Sequence, residues 1–285
     1  MKIDEACVEC IINQSAKVAS AIDATKELSE TLTSTIKEMS KDFSFDNNPP
    51  EIASYVYEKM AKIAKKDDLY DEIKQLSTTK ASSFKPLLYS RLIDSKDKLL
   101  TATKMAVAGN VIDLAAEVEF DLENELEKIF DTKFSHDDFE KLRDKLSHAK
   151  SVVILGDNVG EHIFDYMFIE ILKELYPHVK YHYFVRGCPI INDVTMKEAL
   201  ACGFDKLCNL VDSGVNTPGF VYERATPHAK ELFDGADLVI SKGMGNYECL
   251  SPSHRQDICF LLKVKCGVVA NNLNQEIGDI VCKMV

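Results

Sequence analysis

Several features that mark other classes of protein are missing from these 285 residues. No apolar run approaches the roughly 20 residues that a helix needs to span a bilayer. The N-terminal sequence MKIDEACVEC carries acids and lacks an apolar core, so it does not indicate a secretory signal. No block of lysine and arginine marks a track for a phosphate backbone, and the net charge is −12. We therefore expect a cytoplasmic protein that binds neither membrane nor nucleic acid.

The nine cysteines do not form a recognisable disulfide or zinc pattern. An odd number of cysteines without a signal sequence argues against a disulfide framework. Cys7 and Cys10 form a single C-x-x-C, whereas a structural zinc site usually needs two such pairs or nearby histidines. On a helix the two thiols lie about one turn apart, which leaves packing, a family signature, and metal or redox use as alternatives.

The spacing of apolar residues changes near residue 148. Before it, segments such as NNPPEIASYVYEKMAKIAKK and SHDDFEKLRDKLSHA have helical spacing. Here we predict N-caps at Asn48 and Ser135, a helix stop at Gly109, and no strand. From Ser151 onward, short apolar runs alternate with helical stretches, which indicates βαβ units. The predicted strands are SVVIL, YHYFV, KLCNLV, ADLVIS, ICFLLKV and GVVA.

The predicted fold class is therefore α/β. An all-helical N-terminal region over 1–148 precedes a Rossmann-like, mostly parallel sheet flanked by helices over 149–285. No Gly/Ser-rich linker separates the two regions, so we expect them to pack as one compact body.

Polar side chains follow the predicted strands where a parallel sheet binds its ligands. SVVIL runs into LGDNVGE, with Asp157 and Asn158, and YHYFV runs into RGCPIINDVT, with Arg186 and Asp193. The carboxyl ends of parallel strands meet at one edge of the sheet. Asp157, Asn158 and Asp193 would there form a set of oxygen ligands that suits Mg²⁺ or Mn²⁺.

Lysines in the later segments would add an anion site to the same edge. Lys242 lies in SKGMGNYE, and Lys263 and Lys265 lie in FLLKVKC. A lysine inside an apolar run is costly to bury alone, so a partner such as a phosphate is implied. Together, the oxygen ligands and the lysines indicate metal-assisted hydrolysis of a phosphoryl group.

Each of these residues also has a purely structural interpretation. Asp157, Asn158 and Asp193 fit as helix N-caps. Lys242 could extend from a strand edge to solvent, and Glu161 could favour a helix dipole. Two other functional classes are alternatives. A methyltransferase or nucleotide-binding module is disfavoured because the first loop reads GDNVG rather than G-x-G-x-x-G. A non-catalytic scaffold would use the acids as a solvated face.

The motifs LGDNVGE, VRGCPIINDVT, SKGMGNYE and FLLKVKC occur in the order found in a known enzyme family. With AVAGNVID and the C-x-x-C followed by Gln14, they resemble the damage-control phosphatases, which were long catalogued as a domain of unknown function. The resemblance is greatest to the compact prokaryotic branch that carries the N-terminal C-x-x-C. It implies hydrolysis of small phosphorylated metabolites, such as sugar phosphates or damaged cofactor precursors.

The resemblance also implies roles for individual residues. It implies a divalent cation (Mg²⁺, Mn²⁺, Co²⁺ or Ni²⁺) held by Asp157, Asn158 and Asp193. The residues for which it implies substrate contacts are Glu161, Lys242, Asn246 and Lys263. Other branches carry R-T-x-K where this chain has Phe260-Leu261-Leu262-Lys263, so only the lysine is retained.

Catalysis is therefore expected to involve Asp157 and one of two lysines. Both Lys263 and Lys265 are candidates for neutralising charge on the phosphoryl oxygens. Arg186, at the end of its strand, is a further candidate for substrate binding. Direct attack by water and an aspartyl-phosphate on Asp157 are both open, although Val159 occupies the place of the second acid in D-x-D-x-T.

Overall fold

The computed structural model describes residues 1–111, 127–253 and 255–285, with residues 110 and 111 described by their backbone only. The described strands form a seven-stranded sheet. They are β1 His136–Asp137, β2 Ser151–Leu155, β3 Lys180–Val185, β4 Asn209–Asp212, β5 Leu238–Lys242, β6 Ile258–Lys263 and β7 Ile280–Met284.

Helices account for most of the remaining described chain. The first six in chain order are α1 Glu5–Ala21, α2 Lys26–Met39, α3 Pro49–Ala64, α4 Asp71–Ser83, α5 Lys85–Asp94 and α6 Lys98–Val111. The later ones are α7 Phe139–His148, α8 Glu161–Leu175, α9 Met196–Ala201, α10 Phe204–Leu207, α11 Pro227–Gly235, α12 Gly243–Leu250 and α13 Gly267–Leu273, with short 3₁₀ helices at Ser40–Asp42 and Tyr222–Arg224. None of the helices in the described ranges is both long and apolar enough to cross a membrane.

The strand order of the sheet is β1-β7-β6-β5-β2-β3-β4. The five strands from β6 to β4 are mutually parallel, whereas β7 runs antiparallel to β6 and β1 runs parallel to β7. From β2 the chain moves outward through β3 and β4, then returns to the other side of β2 through β5 and β6. This is the Rossmann order, so the prediction of a mostly parallel, Rossmann-like sheet is confirmed. The order reverses between β2 and β5, where such sheets open a ligand crevice.

The sheet is buried on both faces. Along β2, Val152 and Ile154 pack into one apolar cluster, and Val153 and Leu155 pack into another. Such two-sided burial explains why β2 reads as a continuous apolar run rather than an alternating one. Met105 of α6 belongs to the same cluster as Ile154, so the helical region and the sheet share a core.

One prediction about the later segments is wrong, and one strand was missed. GVVA forms the start of α13 rather than a strand, because Val269, Ala270 and Leu273 are buried at helical spacing. Packing on that face outweighs the strand preference of two adjacent valines. The strand at this end of the sheet is β7, which was not predicted.

In the helical region, three further predictions are wrong and one is confirmed. The expected absence of strands is wrong, because β1 adds to the sheet beside β7. Ser135 is not an N-cap, since α7 begins at Phe139 with Asp138 at the cap position. Gly109 does not end α6, which continues to Val111. Asn48 does cap α3, in a reciprocal capping box with Glu51.

The close packing of α6 on α8 gives Gly109 a different role. A Cβ atom at Gly109 would lie 2.8 Å from Cγ of Glu161, the first residue of α8. Glycine therefore lets the helical region pack directly against the start of the helix that follows the Asp157–Asn158 loop.

Candidate active site

Backbone contacts bring the three predicted oxygen ligands together at the carboxyl ends of β2 and β3. The N–H of Val194 donates to the carbonyl oxygen of Asp157 at 2.9 Å. Asn158 and Asp193 form an isolated antiparallel bridge. The Asn158 side chain donates through Nδ2 to Oδ2 of Asp157 at 3.1 Å. The loops after β2 and β3 are thus hydrogen-bonded to each other. Asp157, Asn158 and Asp193 therefore lie close together at this edge of the sheet.

Two of these residues are buried acids beside an arginine. Asp157 is 7% exposed and Asp193 is 2% exposed. Nε of Arg186 donates to Oδ2 of Asp193 at 2.7 Å, and Nη2 lies 3.9 Å from Oδ1 of Asp157. Burial raises the pKa of Asp157 well above its usual value, and the charges of Glu161 and Asp193 add to that rise. Burial likewise raises the pKa of Asp193, against the opposing charge of Arg186.

This arrangement fits a hard divalent cation. Nη2 of Arg186 is buried and has no hydrogen-bond partner among the described residues, so it is available to donate to an anion bound beside such a cation. Within the same part of the chain, no three acidic, histidine or cysteine side chains converge as a metal cluster. The oxygen donors that the two loops bring together are the carboxylates of Asp157 and Asp193 and the Asn158 amide, a set that suits an ion that keeps several of its waters. Such a cation would also reduce the repulsion between the two buried acids.

The turn after β5 forms the opposite side of the crevice. Gly243 has a φ of +76°, and a Cβ atom there would lie 1.9 Å from Oδ2 of Asp157. Only glycine accommodates both the left-handed backbone and this approach. The start of α12 is thereby placed against the Asp157 carboxylate.

A buried ion cluster lies under the crevice. Nζ of Lys242 is 2.6 Å from Oε1 of Glu161 and 2.5 Å from Oδ1 of Asp165. The Tyr183 hydroxyl donates to Oδ2 of Asp165 at 2.9 Å. Burial raises the pKa of Asp165 to about 6, while Lys242 opposes that rise. The cluster fixes the first two turns of α8 to the end of β5, and the substrate contacts predicted for Lys242 and Glu161 stay predictions.

Asn246 connects three backbone segments beside this cluster. Its Oδ1 accepts from the N–H of Phe220 at 2.7 Å, and its Nδ2 donates to the carbonyl oxygens of Gly156 at 3.1 Å and Lys242 at 2.7 Å. The side chain is fully buried. These contacts support a positioning role, and the predicted substrate contact of Asn246 is not tested by them.

A cavity of about 860 Å³ opens onto the crevice. Asp157, Asn158 and Asp193 lie on its lining. The helical region contributes residues from α1 and α3, including Cys7, Cys10, Gln14, Pro50 and Tyr57. The other side is formed by α12, α13 and the segment between β6 and α13, including Glu248, Lys265, Cys266, Asn271 and Asn272.

The two candidate lysines differ in position. Lys265 lines the cavity, and its charge opposes the rise that burial causes in the pKa of Asp157. Lys263 is the last residue of β6, in register with Ile280 of β7, and is not among the described lining residues. The geometry thus brings Lys265, rather than Lys263, to the carboxylates.

Sequence reasoning missed part of the cavity wall. It left the role of Cys7 and Cys10 open, and both line the cavity from the first turns of α1. Gln14 accepts a hydrogen bond from the Tyr57 hydroxyl at 3.1 Å, which joins α1 to α3 at this wall. Glu248 lies in the SKGMGNYE motif but was not predicted to line the cavity. The side chain of Asn110, in the AVAGNVID motif, lies outside the described residues.

His162 supports the loop after β2, and we expect it to make the unfolding free energy depend on pH. Its Nδ1 accepts from the N–H of Gly160 at 2.9 Å, and burial lowers its pKa to about 4. Because the folded protein holds this histidine neutral, its contribution is present above the unfolded pKa of about 6.5 and is lost as pH falls toward 4. We expect a loss of up to about 3 kcal/mol in unfolding free energy over that range.

Urea unfolding between pH 7.5 and 4.5 measures this effect. His162→Asn keeps an acceptor for the Gly160 N–H and does not titrate in the range, so its unfolding free energy should fall less steeply with acid. Parallel pH curves for the two proteins would contradict the assignment.

The fold is that of an α/β protein with a Rossmann-order sheet, and the crevice lies at the switch point, where such sheets bind their ligands. Over residues 3–281 the chain matches the family described as the damage-control phosphatase ARMT1-like domain, and it belongs to that family. This family comprises phosphatases, so the resemblance found in the sequence is confirmed. The assignment to the branch with the N-terminal C-x-x-C stays a prediction.

Curated relatives and a solved structure agree with this assignment. The chain is 31% identical to damage-control phosphatase PH1575 of Pyrococcus horikoshii, over 99% of this chain and 98% of the relative. It is 29% identical to a damage-control phosphatase of Archaeoglobus fulgidus, over the full length of both. The crystal structure of a DUF89 family protein, PH1575 of Pyrococcus horikoshii, superposes with a TM-score of 0.92 at 29% identity, covering 100% of this chain and 99% of that one.

Proposed function

We propose that this protein is a divalent-metal-dependent phosphatase that hydrolyses small phosphorylated metabolites at the Asp157 crevice. Membership of a phosphatase family supports the reaction class. The observation that carries the assignment of the site is the pairing of Asp157 and Asp193 around the buried Arg186, whose Nη2 lacks a hydrogen-bond partner among the described residues.

The residues at the crevice would have different roles in binding a phosphate ester. Asp157, Asn158 and Asp193 would hold the cation, which when bound polarises a phosphoryl oxygen and lowers the pKa of a water. Nε of Arg186 fixes Asp193, and its Nη2 is available to donate to a phosphoryl oxygen. Lys265 supplies a second positive charge from the cavity wall.

The buried residues behind the crevice keep this arrangement in place. Lys242 holds Glu161 and Asp165 on α8, and Asn246 holds the loop after β2 to the turn after β5. Because these groups are ordered before substrate arrives, the charges that meet the phosphoryl group need no reorganisation.

The two lysines provide a prediction with an internal control. Lys265→Met should reduce kcat/KM by roughly 10²-fold, because a charge near the developing phosphoryl charge is removed. Lys263→Met should leave kcat/KM nearly unchanged, since Lys263 ends β6 away from the described cavity lining. Steady-state kinetics on one phosphate ester measure both, and a larger loss in the Lys263 variant would reverse the assignment.

The proposed function itself is tested with metal-stripped protein. We expect phosphate release from p-nitrophenyl phosphate and from a sugar phosphate panel only after addition of Mg²⁺, Mn²⁺, Co²⁺ or Ni²⁺, and thermal stabilisation by the active ions. Hydrolysis that persists in a chelator would contradict metal dependence. Absence of hydrolysis with every ion, together with metal-independent binding of S-adenosylmethionine or a dinucleotide, would favour the alternative class.

A further inference from the structure

The part of the cavity wall that α1 and α3 form carries one hydrogen-bonded polar pair. Positions i, i+3 and i+7 share one face of a helix, and on α1 these are Cys7, Cys10 and Gln14, which all line the cavity. On α3 the lining residues Ala53 and Tyr57 are likewise four positions apart. Among the described lining residues of these two helices, Gln14 and Tyr57 are the ones with an amide or a hydroxyl group, and the rest are apolar or thiols.

The Tyr57 hydroxyl fixes the orientation of the Gln14 amide. It donates to Oε1 of Gln14 at 3.1 Å, and Tyr57 is only 3% exposed. Burial raises the pKa of Tyr57 well above its usual value, and Tyr70 adds to that rise, so the hydroxyl keeps its proton for this bond. Because Oε1 is occupied, the free end of the amide is its Nε2 donor.

The Nε2 donor of Gln14 is only weakly engaged by the protein. It donates to Sγ of Cys10 at 3.9 Å, a long contact to a weak acceptor. An amide nitrogen carries two N–H groups, and the second has no hydrogen-bond partner within the described part of the chain. A donor held in a fixed place on a largely apolar wall is suited to orient a ligand through one of its oxygen atoms.

Gln14 lies beside the loop that carries Asp193. Ile191 lines the main cavity together with Gln14, and both also line a neighbouring cavity of about 610 Å³ that reaches Asn192. The charge of Asp193 contributes to the raised pKa of Tyr57, which indicates that the Gln14–Tyr57 pair is near this carboxylate. The proposed cation ligands follow β2 and β3, whereas Gln14 comes from α1. A phosphate held at the cation would therefore bring the alcohol part of the ester, rather than the phosphorus, to the Gln14 amide.

We propose that Gln14 is a specificity-determining residue whose Nε2 donates to a hydroxyl oxygen on the alcohol part of the phosphate ester, and that Tyr57 positions it. This inference rests on the proposed phosphatase function and assigns the selection of hydroxylated esters to a particular side chain. A hydrogen bond between neutral groups should contribute about three- to tenfold in affinity.

The test compares glucose 6-phosphate with cyclohexylmethyl phosphate, whose six-membered ring has no hydroxyl group. Isothermal titration of the Mn²⁺-loaded protein measures their dissociation constants, and phosphate release measures their hydrolysis. Gln14→Met keeps the length of the side chain and removes the donor. It should weaken glucose 6-phosphate binding by about three- to tenfold and leave cyclohexylmethyl phosphate binding nearly unchanged. Tyr57→Phe should shift the ratio of the two affinities in the same direction, because the amide loses its fixed orientation.

Gln75→Met is the matched control. Gln75 is an exposed glutamine on α4 whose Nε2 donates to Oδ2 of Asp71, and it is not among the described cavity-lining residues. Its variant should bind both esters as the wild type does. Thermal unfolding of each variant verifies that it is folded.

The ratio of the two affinities decides the test, because a general weakening of the site affects both esters equally. An unchanged ratio in Gln14→Met overturns the role of Gln14 even if both esters are hydrolysed, and an unchanged ratio in Tyr57→Phe overturns the positioning role. A ratio that depends on Gln14 without hydrolysis by any metal-loaded form supports the binding role and overturns the phosphatase assignment. Failure of the wild type to bind either ester overturns both.

Discussion

Asp157→Asn is expected to reduce phosphate-ester hydrolysis by roughly 10²–10³-fold or more, the scale of losing a preorganised charge at the reacting group. The same change should leave the unfolding free energy of the metal-free protein unchanged or increase it. Both effects have one cause, because Asp157 is a buried acid beside Asp193 and Glu161, whose charges raise its pKa. Removing its charge relieves repulsion in the fold while it removes a ligand from the cation.

Three measurements define this result. Steady-state kinetics give the loss of activity, calorimetric titration with Mn²⁺ gives the loss of metal affinity, and urea unfolding with chelator gives the stability. Asp212→Asn is a matched control, because Asp212 also ends a strand but accepts from the N–H of Gly214 and does not line the described cavity. Retained activity in Asp157→Asn would refute the proposed site, and a strong loss of metal-free stability would refute the electrostatic argument.

Lys242→Met is expected to lower the unfolding free energy by about 3–5 kcal/mol, the usual cost of removing one partner from a buried ion pair. Lys242 is fully buried and lies between two carboxylates that are equally buried. Without it, Glu161 and Asp165 are left as adjacent acids in a low-dielectric core. Because the cluster fixes α8 behind the Asp157 loop, activity should fall with stability.

Urea unfolding of a variant series tests this expectation. Adding Glu161→Gln and Asp165→Asn to Lys242→Met should recover much of the lost stability, since no buried charge is then left uncompensated. Lys197→Met removes a lysine whose ion pair with Asp71 is also 2.5 Å long but solvent-exposed, and it should change stability little. Equal losses in Lys242→Met and Lys197→Met would show that burial does not set the energetics of the cluster.

The central sheet and the crevice could be predicted from the sequence because both follow local rules. Strands such as SVVIL read as apolar runs, and parallel pairing places the loops that carry Asp157 and Asp193 at the same edge of the sheet. The start of α13 could not be read in this way, since its valines have strand preference and only packing makes them helical. The sequence also could not decide which of Lys263 and Lys265 faces the cavity, because that depends on the residue at which β6 ends.

The buried residues were harder to assign for a different reason. Lys242 was interpreted as a phosphate ligand or a solvent-reaching side chain, whereas its observed partners lie 81 and 77 residues away in sequence. The placement of Glu248 on the cavity wall could not be predicted either. It depends on the orientation of α12, which is set by the approach of Gly243 to Asp157. Contacts of such long range are determined by tertiary packing and leave no periodic signal along the chain.

The outer wall of the cavity belongs to a part of the molecule with its own apolar cluster. Helices α1, α2 and α3 pack around residues such as Val18, Leu32 and Val56, apart from the clusters on the two faces of the sheet. Side chains such as Cys7 and Pro50 line the cavity from these helices, while the proposed cation ligands follow β2 and β3. Substitutions at cavity-facing positions such as Cys7 or Pro50 can therefore change the wall without repacking the clusters on the sheet, whereas the helical cluster also holds Ile190 of the Asp193 loop. One hydrolytic core could thus diversify in lineages that need to dispose of different phosphate esters.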